Sequence, residues 1–496
     1  VPEADVQHSV LAALRSPRRL RTEVLAGLVV ALALIPEAIS FSILAGVDPR
    51  VGLFSSFVMA VSIAFLGGRP AMISAATGAI ALVIAPVARD HGLDYLLATV
   101  ILGGLIQVVL GVVGVARLMR FIPRSVMVGF VNALAILIFL AQVPHLVDVP
   151  WVVYPLVAIG IAIIVLLPKV TTVVPAPLVA IVVLTVVTVA FSVQVPQVRD
   201  EGALPDSLPA LLFPDVPLNV ETLRIIAPYA LAMALVGLLE SLMTAKLVDD
   251  VTDTHSNKTR EAWGQGTANV LSGFFGGMGG CAMIGQTMIN VKASGARTRI
   301  STFLAGVFLL VLVVGLGDVV GIIPMAALVA VMVIVSVATF DWHSIKPATL
   351  RRMPLSETVV MVLTVAVVVA THNLAYGVVV GVVAAMVLFA RRVAHLTTVT
   401  RLDSSDDDGE RVYAVSGELF FASSNDLVYQ FDYTGDPERV VIDLSDAHVW
   451  DASTVATLDA ITTKYAAKGK QATIIGLNED SARRHGRLAG QLGGGH

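Results

Sequence analysis

The chain has 496 residues, 33 Lys and Arg against 37 Asp and Glu, and a formal net charge of −4; 56% of its residues are hydrophobic and only 14% charged. A soluble domain carries about 25% charged residues, so composition excludes a soluble enzyme for most of the length and points to a polytopic membrane protein. The net charge averages two different solvents and identifies no partner, and the single cysteine, Cys281, excludes an intrachain disulfide.

Residues 1–23 hold Arg15, Arg18, Arg19 and Arg21 with no small-residue cleavage pattern behind them, and read as a cytoplasmic N-terminal anchor rather than a leader. A transmembrane domain is predicted over 24–395. Its fourteen apolar segments run at 24–44, 51–66, 76–88, 94–115, 125–142, 151–167, 175–194, 225–248, 262–275, 284–294, 300–317, 320–338, 357–372 and 374–390. Segments 3 and 10 are too short to cross about 30 Å of hydrocarbon as simple helices. Each follows a Gly- or Pro-rich extended stretch, GGRPAMISA at 67–75 and GGMGGCAMI at 276–284. Short interrupted segments at matching positions of two halves mark the central site of a transporter. The halves are repeats of about 24–194 and 225–395, joined by a Pro-rich connector at 195–219. Seven segments per half requires the repeats to be inverted.

Charge asymmetry orients the chain. With the N-terminus inside, the cytoplasmic junctions hold Arg69, Arg117, Arg120, Arg124, Lys169, Lys246, Lys258, Arg260, Lys292, Arg297, Arg299, Lys346, Arg351 and Arg352. The opposite side holds only Arg50, Arg89, Arg199 and Arg224, so both termini are expected in the cytoplasm. Two carboxylates lie inside apolar segments: Glu37 after Pro36 in segment 1, and Glu240 in segment 8. An ionisable group at bilayer depth costs about 2.5–3.5 kcal/mol on insertion scales and is usually paired, protonatable or facing water.

Beyond a linker at 396–409 the pattern turns soluble. A small α/β domain is predicted over 410–487, with strands in 410–422, 439–446 and 471–477 and a helix in 452–470. Residues 488–496 read as a tail. No Walker loop, hydrolase triad or metal cluster is present in the sequence, and no enzyme activity, cofactor, metal or nucleic-acid partner is expected.

Four separated motifs then carry a resemblance. AGLVVALALIPEAISFSILAGVDPRVGLFSS (26–56), LLESLMTAKLVDD (238–250) and GFFGGMGGCAMIGQTMINVKASGARTRISTFLAG (273–306) resemble the sulfate permease (SulP) family of anion transporters, the family of prestin and pendrin. VIDLSDAHVWDASTVATLDAI (441–461) resembles the STAS domain such transporters carry at the C-terminus. The resemblance covers nearly the whole chain. It implies an all-α fold of fourteen transmembrane segments in a 7+7 inverted repeat, plus the α/β STAS domain. Segments 1–4 and 8–11 would form a core domain that moves against a gate domain of segments 5–7 and 12–14.

Physical reasoning about the site runs alongside. Two half-helices starting near mid-membrane would aim backbone N–H groups and positive dipole ends at one spot, an anion site that needs no basic side chain. Segment 3 offers Ala76, Thr77, Gly78 and Ala79; segment 10 offers Ile284, Gly285, Gln286 and Thr287. The alternative is that these glycines serve only close helix packing. Glu37, Phe41 and Ser40 are expected to line the pocket, with the helix broken near Pro36. The family commonly has Arg where this chain has Gln286, so an anion here would meet dipoles but no fixed positive charge. Glu240, protonated or sodium-bound, would supply the balance; a purely structural carboxylate is the other reading. Ser453 is read as an ordinary N-cap, or as a counterpart of the phosphorylated serine of stand-alone STAS proteins.

The expectation is a proton-coupled secondary transporter of a small anion in the cytoplasmic (inner) membrane, working by elevator-like alternating access and homodimeric, with an unidentified cytoplasmic partner for the STAS domain. Two buried carboxylates and the absence of Arg at 286 favour a carboxylate such as fumarate or another C4-dicarboxylate. Sulfate, bicarbonate or chloride transport or exchange, sodium coupling, an uncoupled channel, a nucleobase permease and a non-transporting sensor are the alternatives.

Overall fold

The computed structural model describes residues 9–114, 122–171, 175–394, 397–402 and 409–491, apart from the side chain of Asn425. Arg117 and Arg120 of the charge pattern, the acidic run at 403–408 and the last five residues fall outside them. The chain divides into two compact units, Val1–Val382 and Val383–His496.

Among the described residues, the first unit is built mainly on the helices α1 (Pro17–Ala45), α2 (Pro49–Leu66), α3 (Gly78–His91), α4 (Leu93–Val113), α5 (Arg124–Leu140), α6 (Val153–Leu166), α7 (Ala176–Ala190), α8 (Val220–Thr252), α9 (Lys258–Phe274), α10 (Ile284–Met288), α11 (Arg299–Gly315), α12 (Met325–Thr339), α13 (Leu355–Thr371) and α14 (Leu374–Ala394), the last reaching into the second unit, with shorter helices at Val10–Leu14, Gly317–Gly321 and Pro347–Arg352. Every predicted apolar segment overlaps one of these helices. Local chemistry sets many of the ends. Pro occupies the first turn of α1 and α2, where its missing N–H costs nothing, and Gly46 closes α1 in the left-handed conformation. Asn219 and Asn257 cap α8 and α9 through their side chains.

α1 is one continuous helix through Pro36, which corrects the expected break. The Ser40 hydroxyl donates to the Pro36 carbonyl at 2.8 Å, while the carbonyl that loses its helical N–H partner to a proline at 36 is that of Leu32, one turn earlier. α3 and α10 are the interrupted elements. α10 is five residues followed by a π-helical turn, Ile289–Ala293. Each is preceded by a two-residue strand, β1 (Ser74–Ala75) and β2 (Cys281–Ala282), and these pair antiparallel, with Ser74 opposite Ala282 and Ala75 opposite Cys281.

Packing separates two groups of helices. α4 packs on α9 and α8, α11 on α1 and α2, α9 on α2, and α3 on α1 and α8. α13 packs on α5, while α12 packs on α5, α6 and α7. These are the core and gate groups that a 7+7 repeat requires. At one end of the core group, polar side chains tie the connectors together. Glu23 accepts from Arg297, Thr298 and Ser301 backbone N–H groups at 2.8, 3.0 and 3.2 Å, capping α11 from α1. Glu261 accepts from Gly68 and Arg69 N–H at 2.7 and 3.0 Å. Asp249, near the end of α8, is paired with buried Arg69 at 3.1 Å and with Lys258 at 2.5 Å.

The second unit carries a four-stranded sheet in the order β3-β4-β5-β6: β3 (Thr398–Leu402), β4 (Glu410–Leu419), β5 (Arg439–Val449) and β6 (Gln471–Ile475). β3 pairs antiparallel with β4, whereas β4–β5 and β5–β6 are parallel. Its helices are α15 (Phe421–Leu427), α16 (Ala452–Ala466) and α17 (Glu479–Leu488). The stretch read as linker thus contains an edge strand, β3, hidden from pattern reading because its residues are largely exposed. Ser453 is not the cap of α16. That role falls to Asp451, whose Oδ1 accepts from Thr454 N–H at 2.9 Å, leaving Ser453 exposed in the first turn.

Three tyrosines pack together in this unit. Tyr413 and Tyr465 both donate to Asp436, at 2.8 and 2.6 Å to Oδ2, and Tyr433 stacks on Tyr465 with ring centroids 4.8 Å apart. Burial pushes the Tyr433 phenol up to about 12 and raises Tyr413 and Tyr465 as well. Raised values mean the fold favours the neutral phenols. Their contribution to stability is complete below the unfolded tyrosine value of about 10 and is lost as pH climbs through the folded values. Phenolate absorbance and far-ultraviolet circular dichroism are therefore expected to change together between about pH 10 and 12. Free ionisation of all three near pH 10 with the sheet intact would contradict this.

Candidate functional site

β1 and β2 meet inside the helical unit, where every exposed backbone group would be costly. The helices around them supply the partners. Ser56 Oγ accepts from Ala76 N–H at 3.2 Å, Ser241 Oγ from Ala282 N–H at 3.1 Å, and Thr287 Oγ1 from Ile73 N–H at 3.0 Å. Gly280 precedes β2; a Cβ there would sit 1.9 Å from the Ala75 carbonyl oxygen. Gly280→Ala is expected to lower the melting temperature of the purified protein, with a cost at or above the roughly 1–3 kcal/mol of overpacking. Gly285→Ala, where nothing lies within 4 Å, is expected to leave it unchanged.

The crossing opens on a cavity of about 340 Å³. α1 contributes Glu37 and Phe41, the α3 start Thr77 and Gly78, and the α10 start Ile284, Gly285 and Gln286. Glu240 and Met243 of α8 border the same space, so the two membrane carboxylates, far apart in sequence, share one cavity. The wall opposite comes from α5 (Phe130, Leu134, Ile138) and α12 (Val335, Ala338, Thr339). These six were not anticipated. The i, i+4, i+8 spacing of the α5 residues is a face signal, but beyond its first turn α5 carries Asn132 as its lone polar residue and so offered little contrast from which to choose it.

Of the other residues named from sequence, Ala76, Ala79 and Thr287 do not border the cavity; all three are buried, and Thr287 instead ties α10 to the strand before α3. Ser40 is likewise absent from the lining. α3 begins at Gly78, two residues after the predicted segment, with Thr77 as its N-cap, accepting from Ile80 N–H at 3.4 Å. The first N–H groups of α3 and α10 lack intrahelical partners by helix geometry.

Polar contacts in the cavity are few and specific. Gln286 Nε2 donates to Glu37 Oε1 at 2.8 Å. Gln286 Oε1 is buried without a hydrogen-bond partner. The Cys281 thiol donates to Glu240 Oε2 at 2.9 Å, and its sulfur lies 3.0 Å from Thr77 Oγ1. The lining holds two carboxyl groups and no Lys, Arg or His. Among the described residues no group of three or more His, Cys, Asp or Glu could hold a metal ion.

Two packed groups of helices, with two interrupted helices meeting at an internal cavity, are the architecture of the inverted-repeat transporter class. The sulfate permease family pattern matches residues 20–154 and 151–364, and the STAS domain pattern matches 401–489. The chain therefore belongs to the sulfate permease family of anion transporters, and its second unit is a STAS domain. A Bacillus subtilis (strain 168) protein, YbaR, named provisionally as a sulfate transporter, is 55% identical over 462 residues, covering 93% of this chain and 95% of its own. The bicarbonate transporter BicA of Picosynechococcus is 27% identical over 526 residues, covering 95% and 91%. The transmembrane domain of a cyanobacterial BicA matches 75% of this chain and 98% of its own with a TM-score of 0.64 at 26% identity. The overall structure of SLC26A9 matches 97% and 89% with a TM-score of 0.81 at 16% identity, a likeness of fold.

Proposed function

We propose that the protein is a proton-coupled symporter of a small carboxylate, with Glu240 as the proton carrier. The supporting observation is the charge count of the cavity: two carboxyl groups and no basic side chain. An anion entering beside an ionised Glu37 and Glu240 meets repulsion that the α3 and α10 dipole ends, worth about 0.3–1 kcal/mol each, do not offset. Neutralising one or both removes it. Glu37, Phe41, Thr77, Gly78, Ile284, Gly285 and Gln286 form the anion site in this reading. Phe41, Phe130, Leu134, Ile138 and Val335 present hydrocarbon, which suits a carboxylate with a carbon skeleton, such as fumarate or another C4-dicarboxylate, better than a small hydrated oxyanion.

A second reading, proton- or sodium-coupled sulfate or bicarbonate transport, is favoured by the names of YbaR and BicA. In either case the core group carries the site past the gate group in an elevator motion. The protein sits in the cytoplasmic membrane as a homodimer with both termini inside, the clustered Arg69, Lys258, Arg260 and Arg299 marking the cytoplasmic end. The exposed Ser453 faces a cytoplasmic partner and is the STAS position available for phosphorylation. The test is radiolabelled uptake of fumarate, sulfate, bicarbonate and uracil into proteoliposomes under an inward proton gradient, with a protonophore and with sodium. Concentrative fumarate uptake that collapses with the protonophore is the expected result. Sulfate or bicarbonate accumulation instead selects the second reading, and flux indifferent to protonophore and sodium defeats the coupling.

A further inference from the structure

Cys281 lies outside the cavity lining but joins two residues within it. Its thiol donates to Glu240 at 2.9 Å and contacts the Thr77 hydroxyl at 3.0 Å. It is fully buried, and its position is fixed by the pairing of β2 with β1 opposite Ala75. Thr77 also accepts from Ile80 N–H and caps α3. The result is an unbroken chain from the carboxyl group of α8 to the N-terminus of α3.

Donor counting gives this chain a direction. An ionised carboxylate only accepts, a thiol has one weak donor and a weak acceptor sulfur, and a hydroxyl has one donor and two acceptor lone pairs. With Glu240 ionised, the Cys281 S–H points at the carboxylate. The Thr77 O–H then points at the sulfur, and its proton is turned away from the cavity. Once Glu240 takes up a proton, the directions can reverse. The Glu240 O–H donates to the sulfur, and the S–H swings to Thr77 Oγ1, which still accepts from Ile80. The Thr77 proton is displaced and turns into the cavity that Thr77 borders. Every group keeps a partner in both arrangements, and only hydrogens reorient.

We infer that Cys281 is a positioning residue of the transport cycle: it passes the charge state of Glu240 to Thr77, so that the Thr77 hydroxyl offers its proton to the anion only when Glu240 is neutral. This rests on the role proposed for Glu240. Protonation then does two things at once, lifting a repulsion and adding a donor beside the α3 N-terminus. The other ionisable group on the cavity, Glu37 of α1, is held by Gln286 and stands outside the chain; α3, α5, α10 and α12 bring no ionisable group to the lining.

The single cysteine makes the relay observable. In the full chain reconstituted in lipid, the infrared S–H stretch belongs to Cys281 alone. The band is expected at lowered frequency in alkaline buffer, to shift upward on acidification, and to ignore pH in Glu240→Gln. Uptake is measured beside it. Cys281→Ala is expected to lose most acid stimulation and to raise the anion KM at acid pH by roughly tenfold or more, the loss of one hydrogen bond to a charged group. Cys281→Ser is expected to retain the stimulation, because a hydroxyl can also donate and accept. A pH-invariant S–H band in the unmodified protein, or equal losses in the Ala and Ser variants, overturns the relay and leaves Cys281 as packing. A pH-sensitive band in a protein whose uptake ignores the proton gradient supports the relay and removes the symport reading instead.

Discussion

Replacing Glu240 with Gln is expected to abolish acid-stimulated uptake while leaving the protein folded. Gln keeps the volume and can still accept from the Cys281 thiol 2.9 Å away, so the packing between α8 and β2 survives. It cannot take up a proton. One proton per anion across one pH unit supplies about 1.36 kcal/mol, a tenfold accumulation. The variant should therefore lose that factor for every unit of imposed gradient and only equilibrate the anion. The measurement is the plateau of labelled anion in proteoliposomes, with and without the gradient, beside a thermal melt of the same preparation. A plateau that still rises tenfold per pH unit would return Glu240 to a structural role.

Gln286→Arg is expected to act in the opposite direction. The Gln286 side chain reaches Glu37 at 2.8 Å, and an Arg there would place its guanidinium against the same carboxylate. The cavity's charge would drop from two negatives to one without any proton. Opposite unit charges 4 Å apart at an effective dielectric constant of about 20 interact by about 4 kcal/mol, less the cost of desolvating the guanidinium. Anion affinity at alkaline pH should rise roughly tenfold or more, each tenfold being about 1.4 kcal/mol, and the pH profile of uptake should flatten. Anion KM measured across pH, in this variant and in the unmodified chain, decides it. An unchanged profile would mean that Gln286 does not face the transported anion.

These two variants bear on residues legible in the sequence for different reasons. Glu240 and Glu37 were conspicuous because a carboxylate in an apolar segment is costly, and Gln286 because the resemblance placed a different side chain there. Gly78 and Gly285 stood out near the starts of the two short segments, and both border the cavity. The gate wall was not legible. Phe130, Leu134 and Ile138 look like the other apolar residues that make up most of α5, since a helix buried among other helices and lipid needs no polar face to mark its orientation. Cys281 was noticed only as a lone cysteine, because its partners Glu240 and Thr77 lie 41 and 204 residues away. The break expected at Pro36 did not occur: α1 runs through it as one helix, as membrane helices allow.

The fourteen apolar segments, their division into two halves, the soluble C-terminal unit and the two carboxylates can all be read from short stretches of the chain. Each of these is a local property of composition, period or transfer energy. Tertiary structure decided what lies next to what. It took the antiparallel pairing of β1 with β2 to bring the α3 and α10 starts to one cavity, to place Glu37 and Glu240 on it together, and to set Cys281 between Glu240 and Thr77. Contacts across more than two hundred residues follow from packing and from the need to satisfy backbone groups away from water, and neither is written in any single stretch of the chain.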